Sequence, residues 1–227
     1  LHATGQPQKH EAFQPLPEGF RHVAYDDLAA LESSMDESVG AVLLEVVQGE
    51  GGVNPASSEF LHGAERLCRE RGALLILDEV QTGFGRTGAW FAHQHSGIRP
   101  DVVTMAKALG NGVPIGACWA RAEVADAFVP GDHGTTYGGQ PLAAAAARTV
   151  IEVMRREDVP ARAMRAGSRI SAALEAAPGI GGVRGSGLLL AIELAGVPSK
   201  PVADLLLERG VVVNAVTPSA LRLAPSL

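Results

Sequence analysis

The sequence predicts an α/β protein: a mostly parallel sheet with helices on both faces, followed by a smaller α+β domain. Three observations predict it. Short runs such as Ala73-Leu74-Leu75-Ile76-Leu77 are apolar throughout, and strands of that kind are buried on both faces, as parallel sheets require. Helix-length segments separate these runs, which suits βαβ connections. Near residue 140 the texture shifts to long helices followed by short strands. The 227 residues are 46% hydrophobic and 19% charged, a composition that builds a core rather than a disordered chain.

Taken in order, residues 1–25 carry three prolines and few apolar pairs and read as extended chain or loop. Ala41 to Val47 reads as a buried strand, closed by the turn Gln48-Gly49-Glu50-Gly51-Gly52. Ser57 to Arg71 reads as a helix: Ser57 or Ser58 caps it, and Phe60, Leu61, Ala64, Leu67 and Cys68 fall on one face. Gly72 ends it. Ala73–Asp78, Val102–Ala106 and Ile115–Ala120 are three more strands. Pro141 to Arg156 is one long helix, read as a bridge, and Ala161 to Ala177 a second. The glycine-rich stretch Gly179–Gly187 reads as a turn-rich link into a strand over Leu188–Leu194. A helix over Val202–Arg209 and short strands at Val211–Val213 and Leu221–Leu223 complete the pattern. The domain expectation is 1–145 for the larger unit and 146–227 for the smaller.

Composition excludes several function classes. The chain has 19 Lys+Arg against 25 Asp+Glu, and 19 − 25 = −6. An acidic chain without basic runs is a poor binder of phosphate backbones, so no nucleic-acid partner is expected. Cys68 and Cys118 are the only cysteines and lack ligand spacing, which suits a reducing cytoplasm. The longest apolar run, Gly187–Val197, contains Glu193 and is too short to span a bilayer, so no membrane partner is expected. The polar start at Leu1 has no initiator Met, and Leu221–Leu227 reads as an interrupted strand. The chain is therefore expected to be a fragment.

Two residues stand where chemistry is placed in such sheets. Asp78 ends an apolar strand, and ligands bind beyond the carboxyl ends of strands in open α/β sheets. By itself an Asp at this position is more often a loop or capping residue. Its neighbour Glu79 points to the opposite face of the strand, so the two do not form a working pair. Lys107 follows the next strand, bracketed by Met105-Ala106 and Ala108-Leu109. An ordinary lysine is a solvated surface group. One in an apolar pocket has a depressed pKa and suits condensation with an aldehyde. If Lys107 and Asp78 face one pocket, they fit pyridoxal phosphate: the lysine holds the aldehyde and the aspartate pairs with the ring nitrogen. His93 and His95 lack the Cys or carboxylate companions of a metal site, so no metal is expected. The Gly179–Gly187 stretch has no dinucleotide fingerprint in register. The loop His133–Gly139 fits either a phosphate cradle or a plain turn that caps the next helix.

The stretches Gln48–Val53, Leu77–Gly88, Ala106–Leu109, His133–Gly139 and Leu221–Leu227 occur together and in one order. In this the sequence resembles the class III, fold type I, pyridoxal-phosphate aminotransferases, and most of all their acetylornithine branch. The resemblance implies the C-terminal part of a fold type I enzyme, with pyridoxal 5'-phosphate as cofactor. It implies that Lys107 carries the cofactor and is the catalytic base. Asp78 sits under the pyridine nitrogen, and Gln81 contacts the phenolic oxygen. Thr136 reaches the phosphate of the neighbouring subunit, which implies a homodimer with shared sites. Glu50 and Arg222 match a switch pair, in which the arginine grips the α-carboxylate of glutamate or 2-oxoglutarate and the glutamate covers it otherwise. The implied reaction moves the δ-amino group of N-acetylornithine to 2-oxoglutarate, in arginine biosynthesis. Other members acting on ornithine, succinylornithine, 4-aminobutyrate or aminoadipate semialdehyde are the alternatives. Val46-Val47 depart from the Pro and Ile usual after Glu45, at strand positions that tolerate the change. The family's glycine-serine/threonine phosphate loop and its ring-stacking aromatic are not among these residues. A nicotinamide-dependent dehydrogenase would leave Lys107 unexplained, and a purely interacting module would not bind pyridoxal phosphate.

Overall fold

The computed structural model describes residues 1–227. The N-terminal segment makes two 3-10 turns, Pro7–Lys9 and Glu11–Phe13, before α1 (Leu28–Ser34). The Asp27 side chain accepts the Ala30 N–H and so caps α1. Next come β1 (Ala41–Leu44) and a small hairpin of β2 (Val47–Gln48) and β3 (Asn54–Pro55). Helix α2 (Ser58–Arg71) starts at Ser57, whose hydroxyl accepts the Phe60 N–H, and stops at Gly72 in the left-handed region. Then follow β4 (Leu74–Asp78), β5 (Val102–Met105), β6 (Ala117–Ala120) and the single turn α3 (Ala122–Ala125). Two long helices come next, α4 (Pro141–Glu157) and α5 (Val159–Glu175), with Asp158 at φ 49° breaking them apart. The chain closes with β7 (Ile180–Ser186), β8 (Leu189–Leu194), α6 (Ser199–Glu208), β9 (Asn214–Ala215) and β10 (Ala220–Leu223). No helix is long and apolar enough to cross a membrane.

The first sheet has the order β1-β4-β5-β6. Strands β1, β4 and β5 are parallel, as expected, whereas β6 runs antiparallel to β5. The reason is local. Only a three-residue 3-10 turn, Lys107–Leu109, lies between β5 and β6, and no crossover helix can be made from it, so the chain doubles back. Leu44 pairs with Leu77 and Asp78 with Thr104, which brings the carboxyl ends of three strands to one level. Glu45, Asp78 and the Ala106-Lys107 step leave the sheet along that edge.

The second sheet is antiparallel, in the order β7-β8-β10-β9. Here two expectations are corrected. Gly179–Gly187 is not a link: most of it is β7, paired with β8 from Ile180↔Leu194 to Ser186↔Leu189. A bulge between Ile180 and Gly182 takes up the mismatch. Long-range pairing outweighs the weak strand propensity of glycine, which is needed for close approach. A Cβ on Gly167 of α5 would stand 1.9 Å from the Gly187 carbonyl oxygen, so the helix lies directly on the hairpin turn. The second correction concerns Val211–Val213. The strand begins only at Asn214, opposite Arg222, and Val212 is 83% exposed.

The main core joins the two sheets. It packs the apolar face of α2 (Phe60, Leu61, Ala64, Leu67) on Leu75 and Leu77 of β4 and reaches Leu189 and Ala191 of β8. Each fully buried leucine of this set contributes about 1.5–3 kcal/mol. A second cluster holds α4 and the start of α5 (Ala147, Met154, Val159) against Phe84 and Leu109. These contacts fix the loops after β4 and β5, which carry the candidate site.

Candidate active site

The alternation of a strand end sends Asp78 and Glu79 to different fates. Asp78 Oδ1 accepts the Val80 N–H at 2.9 Å, and Oδ2 takes no protein donor. Glu79 is wholly buried. Its Oε2 accepts from Ala92 N at 2.9 Å and from the Thr82 hydroxyl at 2.5 Å. Its Oε1 accepts from both His93 N and His93 Nδ1 at 2.9 Å, which places a proton on Nδ1. Burial pushes the Glu79 carboxyl up, but hydrogen bonds from His93, Thr82 and Ala92 outweigh it and leave the pKa lowered. Glu79 therefore ties both ends of the loop that carries Gln81, and His93 is its partner.

A test follows from the sign of that shift. A carboxylate with a depressed folded pKa contributes stability above its unfolded value, about 4.3, and loses it as pH falls through the folded value. Glu79→Gln is expected to destabilise the fold at pH 7 by about 3–5 kcal/mol, as an uncompensated buried network does. Urea melts at pH 7 and near pH 3.5 check this: the deficit should be large at the first and shrink toward the second. A deficit independent of pH would make the loss one of packing alone.

Lys107 opens the 3-10 turn after β5 with φ 45°, a left-handed backbone for a non-glycine residue. Such strain is costly for a side chain with a Cβ and persists where the surroundings impose it. Burial lowers its pKa, while Glu50, Asp78 and Glu45 pull it upward and Arg222 adds to the lowering. The residue as a whole stays exposed, so solvent tempers the push. No side chain binds its amine directly. A cavity of about 740 Å³ adjoins Lys107 and Gln81, lined also by Phe84, Arg86, Leu189 and Pro225.

The third group spans both sheets. Arg222 of β10 donates from Nη1 to Glu50 Oε1 at 2.7 Å and to the Gly49 carbonyl at 2.9 Å. Gln81 lies between them: its Nε2 is 3.5 Å from Glu50 Oε1 and its Oε1 is 3.5 Å from Arg222 Nη1, the outer limit for a hydrogen bond. Arg222 is 15% exposed and Glu50 50%. The hydrogen bond from Arg222 holds the Glu50 carboxyl below the usual carboxylate range. A Cβ on Gly49 would stand 2.5 Å from the Gln81 amide, so any other residue there would push Gln81 out of its present place.

The structure thus gathers Lys107, Asp78, Gln81, Glu50 and Arg222 along the carboxyl edge of the first sheet. Thr136 is not among them: it lies exposed in the loop before α4 and makes no hydrogen bond within this chain. His93 and His95 are occupied by Glu79 and by Thr87 O at 3.1 Å. Reasoning from sequence passed over Glu45 and Tyr25. Glu45 Oε2 accepts the Gly49 N–H at 2.9 Å, and the Tyr25 hydroxyl donates to the Glu45 carbonyl at 2.9 Å. Desolvation raises the Glu45 pKa, against the Gly49 hydrogen bond. Its position after a strand, level with Asp78, was the available signal.

The geometry suits a flat ligand with a basic ring nitrogen and an aldehyde: an unengaged amine, a carboxylate with one unused oxygen, and an amide stand on one edge. Comparison with known proteins agrees with that chemistry. The family model "Aminotransferase class-III" matches residues 1–227. Acetylornithine aminotransferase of Mycolicibacterium smegmatis is 48% identical over 229 residues, 100% of this chain and 59% of that protein. The chain therefore spans about three-fifths of the length of the curated relatives it matches. Among solved structures, ornithine aminotransferase from Toxoplasma gondii, described with partial occupancy of PLP at its active site, aligns with a TM-score of 0.91 at 37% identity. That alignment covers 99% of this chain and 55% of that one. Acetylornithine aminotransferase from Elizabethkingia anophelis aligns with a TM-score of 0.84 at 35% identity, over 98% of this chain and 57% of that one.

Proposed function

The chain belongs to the class-III aminotransferase family, and we propose that within a longer protein it serves an aminotransferase that moves the terminal amino group of N-acetylornithine to 2-oxoglutarate. The products are N-acetylglutamate 5-semialdehyde and glutamate, a step of arginine biosynthesis. The observation that carries this reading is the Arg222–Glu50 pair, at 2.7 Å, beside Gln81 on the Lys107 edge. An enzyme that accepts a terminal amine in one half-reaction and an α-amino acid in the other needs a carboxylate clamp that can be covered.

The residues present fit pyridoxal 5'-phosphate. Asp78 has an oxygen free for a ring N–H, Lys107 has an unengaged amine, and Gln81 presents an amide beside them. When bound, that cofactor supplies an electron sink for the bond broken at the substrate carbon. Asp78 would accept the ring N–H and so favour the protonated ring. Lys107 would anchor the cofactor and would carry a proton on Nζ at the substrate carbon. Gln81 would orient the phenolic oxygen. Arg222 holds the α-carboxylate of glutamate through parallel hydrogen bonds. Thr136, exposed before α4, is assigned to the phosphate held by the partner subunit, so the working unit is a homodimer in the cytoplasm. Residues 1–145 are assigned to the large cofactor domain and 146–227 to the small domain.

The Toxoplasma structure, an ornithine aminotransferase, favours a second reading with free ornithine as donor. Steady-state assays of the full-length protein with both donors decide between them. N-acetylornithine is expected to exceed ornithine in kcat/KM by about tenfold or more, which is about 1.4 kcal/mol of transition-state discrimination. The reverse order would establish the ornithine reading. Absence of transamination with either donor would overturn both.

A further inference from the structure

Glu45 has no part in the reading above, yet it is wired to the clamp. It follows β1, and the parallel register Leu44↔Leu77 sets it level with Asp78 on the neighbouring strand. Its backbone is pinned from behind, because the Tyr25 hydroxyl donates to the Glu45 carbonyl at 2.9 Å and to the Val46 carbonyl at 3.2 Å. Its carboxylate folds forward: Oε2 accepts the Gly49 N–H at 2.9 Å. The Gly49 carbonyl in turn accepts Arg222 Nη1 at 2.9 Å. The Gly49 residue is therefore held on its N–H side by Glu45 and holds Arg222 on its C=O side.

From this geometry we propose that Glu45 is a positioning residue for Arg222, acting through the backbone of Gly49, and that it sets the affinity of the site for α-carboxylates. The proposal rests on the reading of Arg222 as the carboxylate clamp. Its physical content is an anchor that survives opening of the pair. Glu50 is half exposed and has open solvent to swing into, whereas the Gly49 carbonyl is buried backbone and stays. With Glu50 away, Arg222 keeps one hydrogen bond that fixes where its remaining N–H groups point. A drifting Gly49 would leave the guanidinium charged but badly aimed, and a misaimed fork loses the two-bond geometry on which carboxylate recognition depends. Glycine at position 49 makes the anchor necessary, since a residue without Cβ has the greatest backbone freedom to lose.

The role requires an acceptor at Oε2, not a negative charge, and this separates it from plain electrostatics. Glu45→Gln keeps an oxygen for the Gly49 N–H. Glu45→Ala removes it, and Glu45→Asp keeps the charge but draws it back by one methylene. Calorimetric binding of glutarate, a dicarboxylate with no amine to react, reads the clamp without turnover in the full-length protein. Kinetics with glutamate and with the terminal-amine donor then read the specificity. Glu45→Ala and Glu45→Asp are expected to weaken glutarate and raise KM for glutamate about tenfold, the order of one lost hydrogen bond to a charged acceptor. The terminal-amine donor should change by no more than about twofold, a difference of about 0.4 kcal/mol. Glu45→Gln should restore the wild-type values. Aspartate stands in if the alanine variant does not fold. Equal loss for both donors, or glutamine as poor as alanine, would overturn the proposal. Arg222→Ala is the control. If it binds glutarate like the wild type, the clamp reading fails and takes this proposal with it. If it loses glutarate while the alanine and aspartate variants at position 45 do not, only the proposal for Glu45 fails.

Discussion

Lys107→Ala is expected to abolish covalent retention of pyridoxal phosphate and to lower kcat by roughly 10⁴-fold, the upper range for a lost positioned proton carrier. The other amine that acts on this edge, Lys9, bears on Glu50 from the N-terminal turn Pro7–Lys9 and not from the strand end that carries Lys107. Arg222 carries a planar guanidinium in place of an amine, and it is engaged by Glu50 and Gly49. The other side chains on this edge, Glu45, Glu50, Asp78 and Gln81, are carboxylates and an amide. The measurement is borohydride reduction of the full-length holoprotein followed by peptide mass analysis. The wild type should carry the cofactor on the peptide that contains Lys107, and the variant should carry it nowhere. A reduced adduct on another lysine in the variant would remove Lys107 from its assigned place. The backbone sharpens this expectation. At φ 45° position 107 is strained for any residue with a Cβ, so alanine there inherits the strain without the amine. A change in thermal stability of less than about 1 kcal/mol beside a loss of this size in turnover would separate chemistry from folding.

Those parts of the fold that announce themselves locally were legible in the sequence. The cap at Ser57, the left-handed stop at Gly72 and the uninterrupted apolar run of β4 are short-range signals, and the structure uses each of them. What was not legible depends on partners distant in the chain. Within Gly179–Gly187 the glycines outnumber the strand-favouring Ile180 and Val183; the strand exists because β8 pairs along it and because α5 needs a backbone without side chains to lie upon. Val211–Val213 has strand-forming residues, but the pairing partner opposite β10 begins three residues later, at Asn214. The reversal of β6 came from the absence of a crossover helix, which the spacing between Met105 and Ala117 contained but the apolar pattern did not.

The site divides in the same way. Asp78 and Lys107 were readable because each directly follows an apolar strand, where this class of sheet exposes its ligands. Glu50 and Arg222 lie 172 residues apart, and only a resemblance to known motifs linked them before the geometry did. Glu79 faces away from Asp78 as strand alternation implies, but its tie between Thr82 and His93 rests on how the loop after β4 returns to the strand end, which no local pattern records. Glu45 shared the strand-end position of Asp78 and was overlooked because its contact is with a backbone N–H, for which sequence has no signal.

The largest effect on specificity is expected at the Glu50–Arg222 pair. Arg222 is nearly buried and Glu50 half exposed, so the glutamate is the partner that can leave. Two acceptors hold the arginine, Glu50 Oε1 at 2.7 Å and the Gly49 carbonyl at 2.9 Å, and only the first must be given up to admit a substrate carboxylate. Protonation does not open the pair at working pH. The hydrogen bond from Arg222 lowers the Glu50 pKa, so the pair is complete above the ordinary carboxylate value, about 4.3, and is lost only as pH falls through the depressed value. On the proposed reading, opening near neutrality is therefore competition between two carboxylates for one guanidinium. Arg222→Ala is expected to lower kcat/KM for glutamate by about 100-fold, as loss of a two-bond charged contact does, and to change the terminal-amine donor only a few-fold. Glu50→Ala should act in the opposite sense: it removes the competitor, raises kcat/KM for glutamate, and reduces the preference for the terminal amine by roughly tenfold, about 1.4 kcal/mol. Single-turnover kinetics with each amino donor separate the half-reactions and convert the ratios to free energies. If both variants lost activity equally toward both donors, Glu50 and Arg222 would be an ion pair that fastens β10 to the turn after β2, with no part in choosing the substrate.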